Sequence, residues 1–245
     1  MENKSLSDRL VQALEDRIVA IESENTELRA RDGLQIRWQL KQIPGGQATT
    51  DPAASVGGSL PSGYKKPTPD DFEAIQEPLP TADQLKDGEV LFQHRFLSVD
   101  PYVAAYCMGQ DNVGKTVVAG ASGIILASKS DKFAPGDSAV GNGGAAEMSI
   151  MSAERLRKIS SEPGSEVEYN PQQLPISLAL GVLGMPGATA WFAIKDILGA
   201  ELTGQTVVVS GSAGAVGSIA GQLCKLFGAA KVVGIAGSDA KCELC

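Results

Sequence analysis

Polar and apolar positions along the chain fall into three rhythms. In the first, Val11, Leu14, Ile18, Ile21, Asn25 and Leu28 recur in alternating steps of three and four, the seam of a heptad helix over residues 1–31. Ser5 and Asp8 serve as a capping box at its start. Arg17 with Glu22, and Glu24 with Arg29, pair opposite signs between neighbouring helices, and Asn25 sets register in a parallel assembly. Two structures satisfy this pattern: a homo-oligomer held by a parallel coiled coil, or an amphipathic helix packed on its own domain.

The second rhythm is short and strand-like. "QIRWQLKQIP" reads as a strand, and residues 44–68, rich in Gly, Pro, Ser and Ala, read as a flexible loop. From Phe72 onward "GEVLFQHRFLSVDPY" alternates, "TVVAGASGIILAS" is β-branched, and "FAPGDSAVG" carries a Pro-Gly-Asp turn between two strands. Short strands at this spacing predict a small barrel or sandwich over residues 34–170.

The third rhythm begins after Pro171, with helices and then strand–helix–strand: "QTVVVS", "AVGSIAGQLCKLFG", "KVVGIAG". That order predicts a βαβ unit with parallel strands within residues 171–245. The run from Tyr169 to Ile194 has no charged residue and is long enough to span a bilayer. Pro175 and Pro186, with Gly181, Gly184 and Gly187 around them, break it into two short buried helices with a bend. No membrane span is expected.

Composition adds limits. With 43% apolar and 20% charged residues, the 245-residue chain reads as globular, and its formal charge of -8 excludes a nucleic-acid or anionic-membrane surface. The four cysteines are too few for a disulfide scaffold, and "MENKSLSDRL" has no apolar signal core. A reducing, cytoplasmic setting follows as the expectation.

Candidate chemistry sits in "VVVSGSAGAVGSIAGQL". Ser212-x-Gly214-x-x-Gly217 lies between a strand and a helix, with serine where a dinucleotide fingerprint has its first glycine. Gly214 lets the backbone approach a pyrophosphate, which then sits on free N–H groups at the helix start. Gly217 lets helix pack on strand, and the Ser212 hydroxyl offers a further donor. A plain strand-to-helix packing corner is the alternative. The twentieth residue after Gly217 is Gly237, where NAD sites carry an acid. Gly237 and Ser238 leave room for a 2′-phosphate, and Lys241 supplies a positive charge, so NADP(H) is expected over NAD.

"GVLGMPGATAWFAI", "VVVSGSAGAVGSIAGQLCKLFG", "VVGIAGSDAKC", "DGEVLFQHRFLSVDPY" and "FAPGD" resemble the zinc-independent medium-chain dehydrogenase/reductases. Within them the chain is similar to NADP-dependent alkenal, prostaglandin and curcumin-type reductases. The resemblance implies an α/β plus β fold: a GroES-like β-barrel followed by a Rossmann domain, a doubly wound parallel sheet. It places Gly214, Ala215, Val216 and Gly217 around the pyrophosphate, Lys241 on the 2′-phosphate, and Met185 and Pro186 near the interdomain cleft. It puts Tyr102 in the substrate cleft, where the family's following arginine is replaced by Ala104, and Ala145 and Met148 replace usual aromatics. The implied reaction is hydride transfer from NADPH to an α,β-unsaturated aldehyde or ketone, with no catalytic residue assigned.

The family's sheet continues past Cys245, so the Rossmann part is expected to be partial, with apolar sheet surface left open. That leaves a catalytically silent interaction module as the second functional reading. Metal catalysis is not expected, because His94 is the single histidine and the zinc relatives' cysteine lobe is missing. His94 shares a strand face with Val90, Phe92 and Phe96 and reads as a structural residue. "CELC", Cys242 to Cys245, has redox spacing but falls where the second Rossmann helix begins.

Overall fold

The computed structural model describes residues 33–44, 67–103, 110–199 and 201–244. The heptad helix over 1–31 and nearly all of the 44–68 loop lie outside the described residues.

The alternating stretches form eight strands in the first part of the chain. β1 (Leu34–Leu40) and β2 (Phe72–Pro78) make an antiparallel hairpin, in register from Leu34 opposite Pro78 to Leu40 opposite Phe72. β3 (Glu89–Ser98), β4 (Gly120–Ser128), β5 (Ser138–Gly141), β6 (Met148–Ser152), β7 (Leu156–Ser160) and β8 (Val167–Glu168) form one sheet in the order β6-β3-β4-β5-β7-β8. Every pairing in it is antiparallel except β7 with β8. The Pro-Gly-Asp turn sits between β4 and β5, where the Asp137 carboxylate accepts the Ala134 N–H at 2.7 Å.

The sequence expectation was a small barrel or sandwich; the six-stranded ladder is open, and the hairpin completes the wall by scattered ties. Arg37 bridges to Ala146, Gln39 to Thr116 and Leu40 to Val113. Side chains tie the hairpin's own strands together and, through Glu147, tie it to the chain before β6. The Arg37 Nε donates to Glu77 at 2.9 Å, the Gln35 amide to Glu77 at 3.1 Å, and the Ile36 N–H to the Glu147 carboxylate at 3.2 Å. Two register shifts in β3, at Leu91/Phe92 and His94/Phe96, bend the sheet.

Each face of this sheet buries its own core. Val90, Phe92, Ile125, Phe133, Met151 and Leu156 fill one. Val140, Ile159, Val167, Tyr169 and Ala179 fill the other. A fully buried Phe92 or Ile125 stabilises by roughly 1.5–3 kcal/mol. Ala179 belongs to a 3-10 segment, Ile176–Leu180, that the domain boundary at 170/171 assigns to the second domain. The segment's apolar side chains pack on the second of these cores, and the Tyr169 hydroxyl donates to the Pro175 carbonyl at 3.2 Å.

The remaining chain forms α1 (Met185–Phe192) running into a π-helical turn (Ala193–Gly199), then β9 (Thr206–Ser210), α2 (Ala215–Leu226), β10 (Lys231–Ile235) and the short α3 (Asp239–Cys242). The uncharged stretch thus splits into two short helical pieces, and no described helix is long and apolar enough to cross a membrane. β9 and β10 pair in parallel, from Thr206 opposite Lys231 to Ser210 opposite Ile235. Ile194, Leu202, Cys224 and Ala229 are buried with Val207, Leu223 and Val232, so α2 covers one sheet face. Trp191 stacks on Phe227 with ring centroids 5.5 Å apart, fastening α1 to the end of α2. The opposite sheet face is open: Val208 is 60% exposed and Ile235 53%.

Candidate functional site

The turn after β9 is shaped by three glycines spaced by three. Gly211 has φ +64°, a conformation that side chains resist, and its carbonyl accepts the Gly214 N–H at 2.9 Å. Gly214 is the N-cap of α2. At Gly217 an added Cβ would stand 2.2 Å from the Gly211 oxygen and 2.8 Å from the Ser212 Cα, so the first helical turn lies directly on the turn's backbone. Gly214 itself has more space, 3.1 Å to the same oxygen. The N–H groups of Ala215, Val216 and Gly217 have no acceptor within the helix and open at a helix N-terminus. Gly214, Ala215 and Val216 are exposed there.

Ser212 behaves differently from the sequence reading. It is 7% exposed, and both its N–H (3.1 Å) and its hydroxyl (3.2 Å) donate to the Ile235 carbonyl. The hydroxyl is turned inward, onto the carbonyl at the end of β10 that the Ser212 N–H also reaches. This bond joins the carboxyl ends of the two parallel strands and brings the glycine turn beside the loop after β10. There Gly237 is exposed, with nothing within 4 Å of an added Cβ. Ser238 caps α3, its hydroxyl accepting the Lys241 N–H at 3.4 Å. A recess of about 260 Å³ alongside is lined by Ser212, Gly217, Ser218 and Leu244.

Met185 and Pro186 open α1, Met185 exposed and Pro186 buried. The approach to them is tight: a Cβ on Gly187 would meet the Val182 carbonyl oxygen, so only glycine lets α1 start this close to the preceding bend. Tyr102 lies on the barrel just after β3. Its hydroxyl accepts the Gly120 N–H at 3.2 Å, and burial, followed by the negative charge of Asp100, raises its pKa above the ordinary phenol value.

A family profile described as the N-terminal domain of oxidoreductase matches residues 59–159. Prostaglandin reductase 1 from Bos taurus is 43% identical over 175 residues, covering 71% of this chain and 49% of the relative. The NADPH-dependent curcumin reductase of Escherichia coli is 33% identical over 183 residues, covering 71% and 50%. The crystal structure of CurA in complex with NADPH from Vibrio vulnificus superposes with a TM-score of 0.63 at 28% identity, covering 85% of this chain and 54% of that one. The chain belongs to the zinc-independent medium-chain dehydrogenase/reductases. It spans about half the length of the curated relatives it matches.

The barrel and the βαβ unit correspond to the family's GroES-like and Rossmann-like parts. His94 has the structural place its strand face implied. The Ala146 carbonyl can only accept, so Nδ1 carries the proton at 2.7 Å, while Nε2 accepts from the Ser149 hydroxyl at 2.8 Å. Among the described residues no group of three or more His, Cys, Asp or Glu is arranged to hold a metal. Cys242 is exposed and unbridged, and Cys245 lies outside the described residues. Sequence reasoning passed over Gly211, although its three-residue spacing to Gly214 and Gly217 was the available signal. It also passed over Gly120, whose N–H meets the Tyr102 hydroxyl only through the fold.

Proposed function

We propose that this chain carries the cofactor-binding start of an NADPH-dependent reductase acting on the C=C bond of α,β-unsaturated aldehydes and ketones. The observation that carries this reading is the open N-terminus of α2 at the carboxyl ends of β9 and β10, beside the unobstructed Gly237–Lys241 loop. The parts present fit a dinucleotide. Backbone N–H groups of Ala215 to Gly217 point outward as donors for a pyrophosphate. Gly211 and Gly217 keep the turn close to the strand, and the bare Gly237 leaves space for a 2′-phosphate near Lys241. NADPH, when bound, supplies the hydride. The protein's own work is to hold the dinucleotide by the turn and to line the substrate side with Tyr102. Residues 1–31 are proposed to associate copies of the chain through their heptad seam.

The test is NADPH oxidation by the purified full chain, followed with a simple enone such as 3-buten-2-one, together with calorimetric titration of NADPH. Micromolar binding with enone-dependent oxidation supports the proposal. Binding without oxidation restricts it to the cofactor half, and absence of both refutes it.

A further inference from the structure

A recess of about 800 Å³ lies between the β1–β2 hairpin and the β6 edge of the six-stranded sheet. None of its lining residues belongs to the glycine turn or to the β9–β10 pair. Arg37 and Glu77 line it from the hairpin, Ser149 and Ile150 from β6, and residues 142–144 from the loop after β5. One end of that loop packs beside Lys115: a Cβ on Gly144 would lie 3.0 Å from Cγ2 of Thr116, the next residue. The other end packs beside Arg155: a Cβ on Gly141 would stand 2.7 Å from the Arg155 carbonyl oxygen. Three extended residues span at most about 10 Å, so Lys115 and Arg155 line the recess from opposite ends of a short path.

The charges there do not cancel. Arg37, Lys115 and Arg155 face one lining carboxylate, Glu77, which already holds the Arg37 guanidinium at 2.9 Å. Arg37 is also fixed by donating to the Thr116 hydroxyl at 3.3 Å. Glu147, next to the lining residue Ala146, is engaged by the Ile36 N–H. Lys115 and Arg155 make no ion pair among the described residues. A chain of net charge -8 thus keeps a locally cationic recess, whose remaining lining includes Val118, Ala146 and Ile150.

We propose that this recess binds a short linear dicarboxylate, one carboxylate at Lys115, the other at Arg155, and the hydrocarbon spacer along the apolar lining. Arginine takes a carboxylate through two parallel N–H bonds, and the lysine ammonium takes one as a point charge. Apolar lining rewards a hydrocarbon spacer and gives nothing to a compact, hydrated dianion such as pyrophosphate. The seated ligand touches both the hairpin and β6. It therefore binds the docked hairpin and not the opened one, and holds the hairpin down by mass action.

The test is hydrogen exchange of the full chain with adipate, against hexanoate as the equally long monocarboxylate. At ten times its calorimetric Kd, adipate should slow exchange of the β1 and β2 amides about tenfold and leave α2, β9 and β10 unchanged. Hexanoate at the same concentration should change them less than about twofold. Lys115→Gln and Arg155→Gln, both at exposed positions, should each weaken adipate binding at least about tenfold. No protection at about 10 mM adipate, equal protection by hexanoate, or protection confined to α2 overturns the proposal. Full adipate affinity in both folded variants overturns it too. If a variant does not fold by circular dichroism, the adipate and hexanoate comparison on the wild type decides alone. Pyrophosphate that protects the hairpin as well as adipate does would overturn the dicarboxylate assignment.

Discussion

Replacing Gly217 with alanine puts a methyl group where the structure has backbone. The new carbon would stand 2.2 Å from the Gly211 oxygen, 2.7 Å from its carbonyl carbon and 2.8 Å from the Ser212 Cα, all well inside ordinary contact at 3.4 Å. All three atoms are main chain, so no side chain can swing aside and α2 must back away from β9. Overpacking of this kind costs about 1–3 kcal/mol. At about 2–4 °C per kcal/mol, the unfolding midpoint should fall by roughly 2–12 °C. A shift of about 1 Å also misplaces the N–H donors proposed for the pyrophosphate, and losing one or two charge-assisted bonds weakens NADPH binding by roughly ten- to a hundredfold.

Gly221→Ala is the control on the same helix. Its Cβ would sit 3.9 Å from Val232 Cγ1, an ordinary contact, so replacing a mid-helix glycine should stabilise by about 0.5–1 kcal/mol and leave NADPH affinity unchanged. Thermal unfolding by circular dichroism and calorimetric titration read both variants. A Gly217→Ala protein as stable and as tight-binding as the wild type would refute the close helix–turn contact.

Lys241→Ala should weaken NADPH binding about tenfold and leave NADH binding near its wild-type value, so the ratio of the two affinities reports the 2′-phosphate contact. For His94, burial holds the folded pKa below the unfolded 6.5, so the unfolded chain takes up the proton first as pH falls. Stability is therefore intact above about 6.5 and declines as pH drops through and below that value, and unfolding midpoints measured from pH 8 to 5 should show this slope flattened in His94→Gln. A peptide of residues 1–31 should sediment as a dimer or trimer; a random-coil monomer at high concentration would exclude the coiled coil.

The βαβ unit was legible because its signals are local. "TVVVS" and "KVVGI" are continuous apolar runs, and Ala220, Leu223 and Cys224 mark the stripe that α2 buries. The glycine turn was half legible: its place was clear, but Ser212 was weighed as a ligand group before the Ile235 carbonyl was known to face it. The barrel strands were readable from alternation. Their order was not, since the bonds from Arg37 to Thr116 and from Ile36 to Glu147 join positions far apart in sequence. What Ile176–Leu180 packs on was not legible for a similar reason, because an uncharged run says it will be buried but not against which core.

The hairpin of β1 and β2 has a kinetic consequence. Residues 41–71 separate its strands, so its formation closes a loop whose entropy cost is roughly 3 kcal/mol before any ladder bond is made. What fastens it to the sheet is mostly polar: the Ile36 N–H on the Glu147 carboxylate, the Met148 N–H on the Gln35 amide oxygen, Arg37 on the Thr116 hydroxyl and a few bridges, with Leu40 as its fully buried apolar residue. Such a panel joins late in folding and is first to open afterwards, as a small cooperative unit of its own. Its amides should lose protection from hydrogen exchange well before those of β3 and β4, whose bonds are locked by Phe92 and Ile125. Removing the Glu147 carboxylate, as in Glu147→Ala, should widen that gap and leave the six-stranded sheet standing without it.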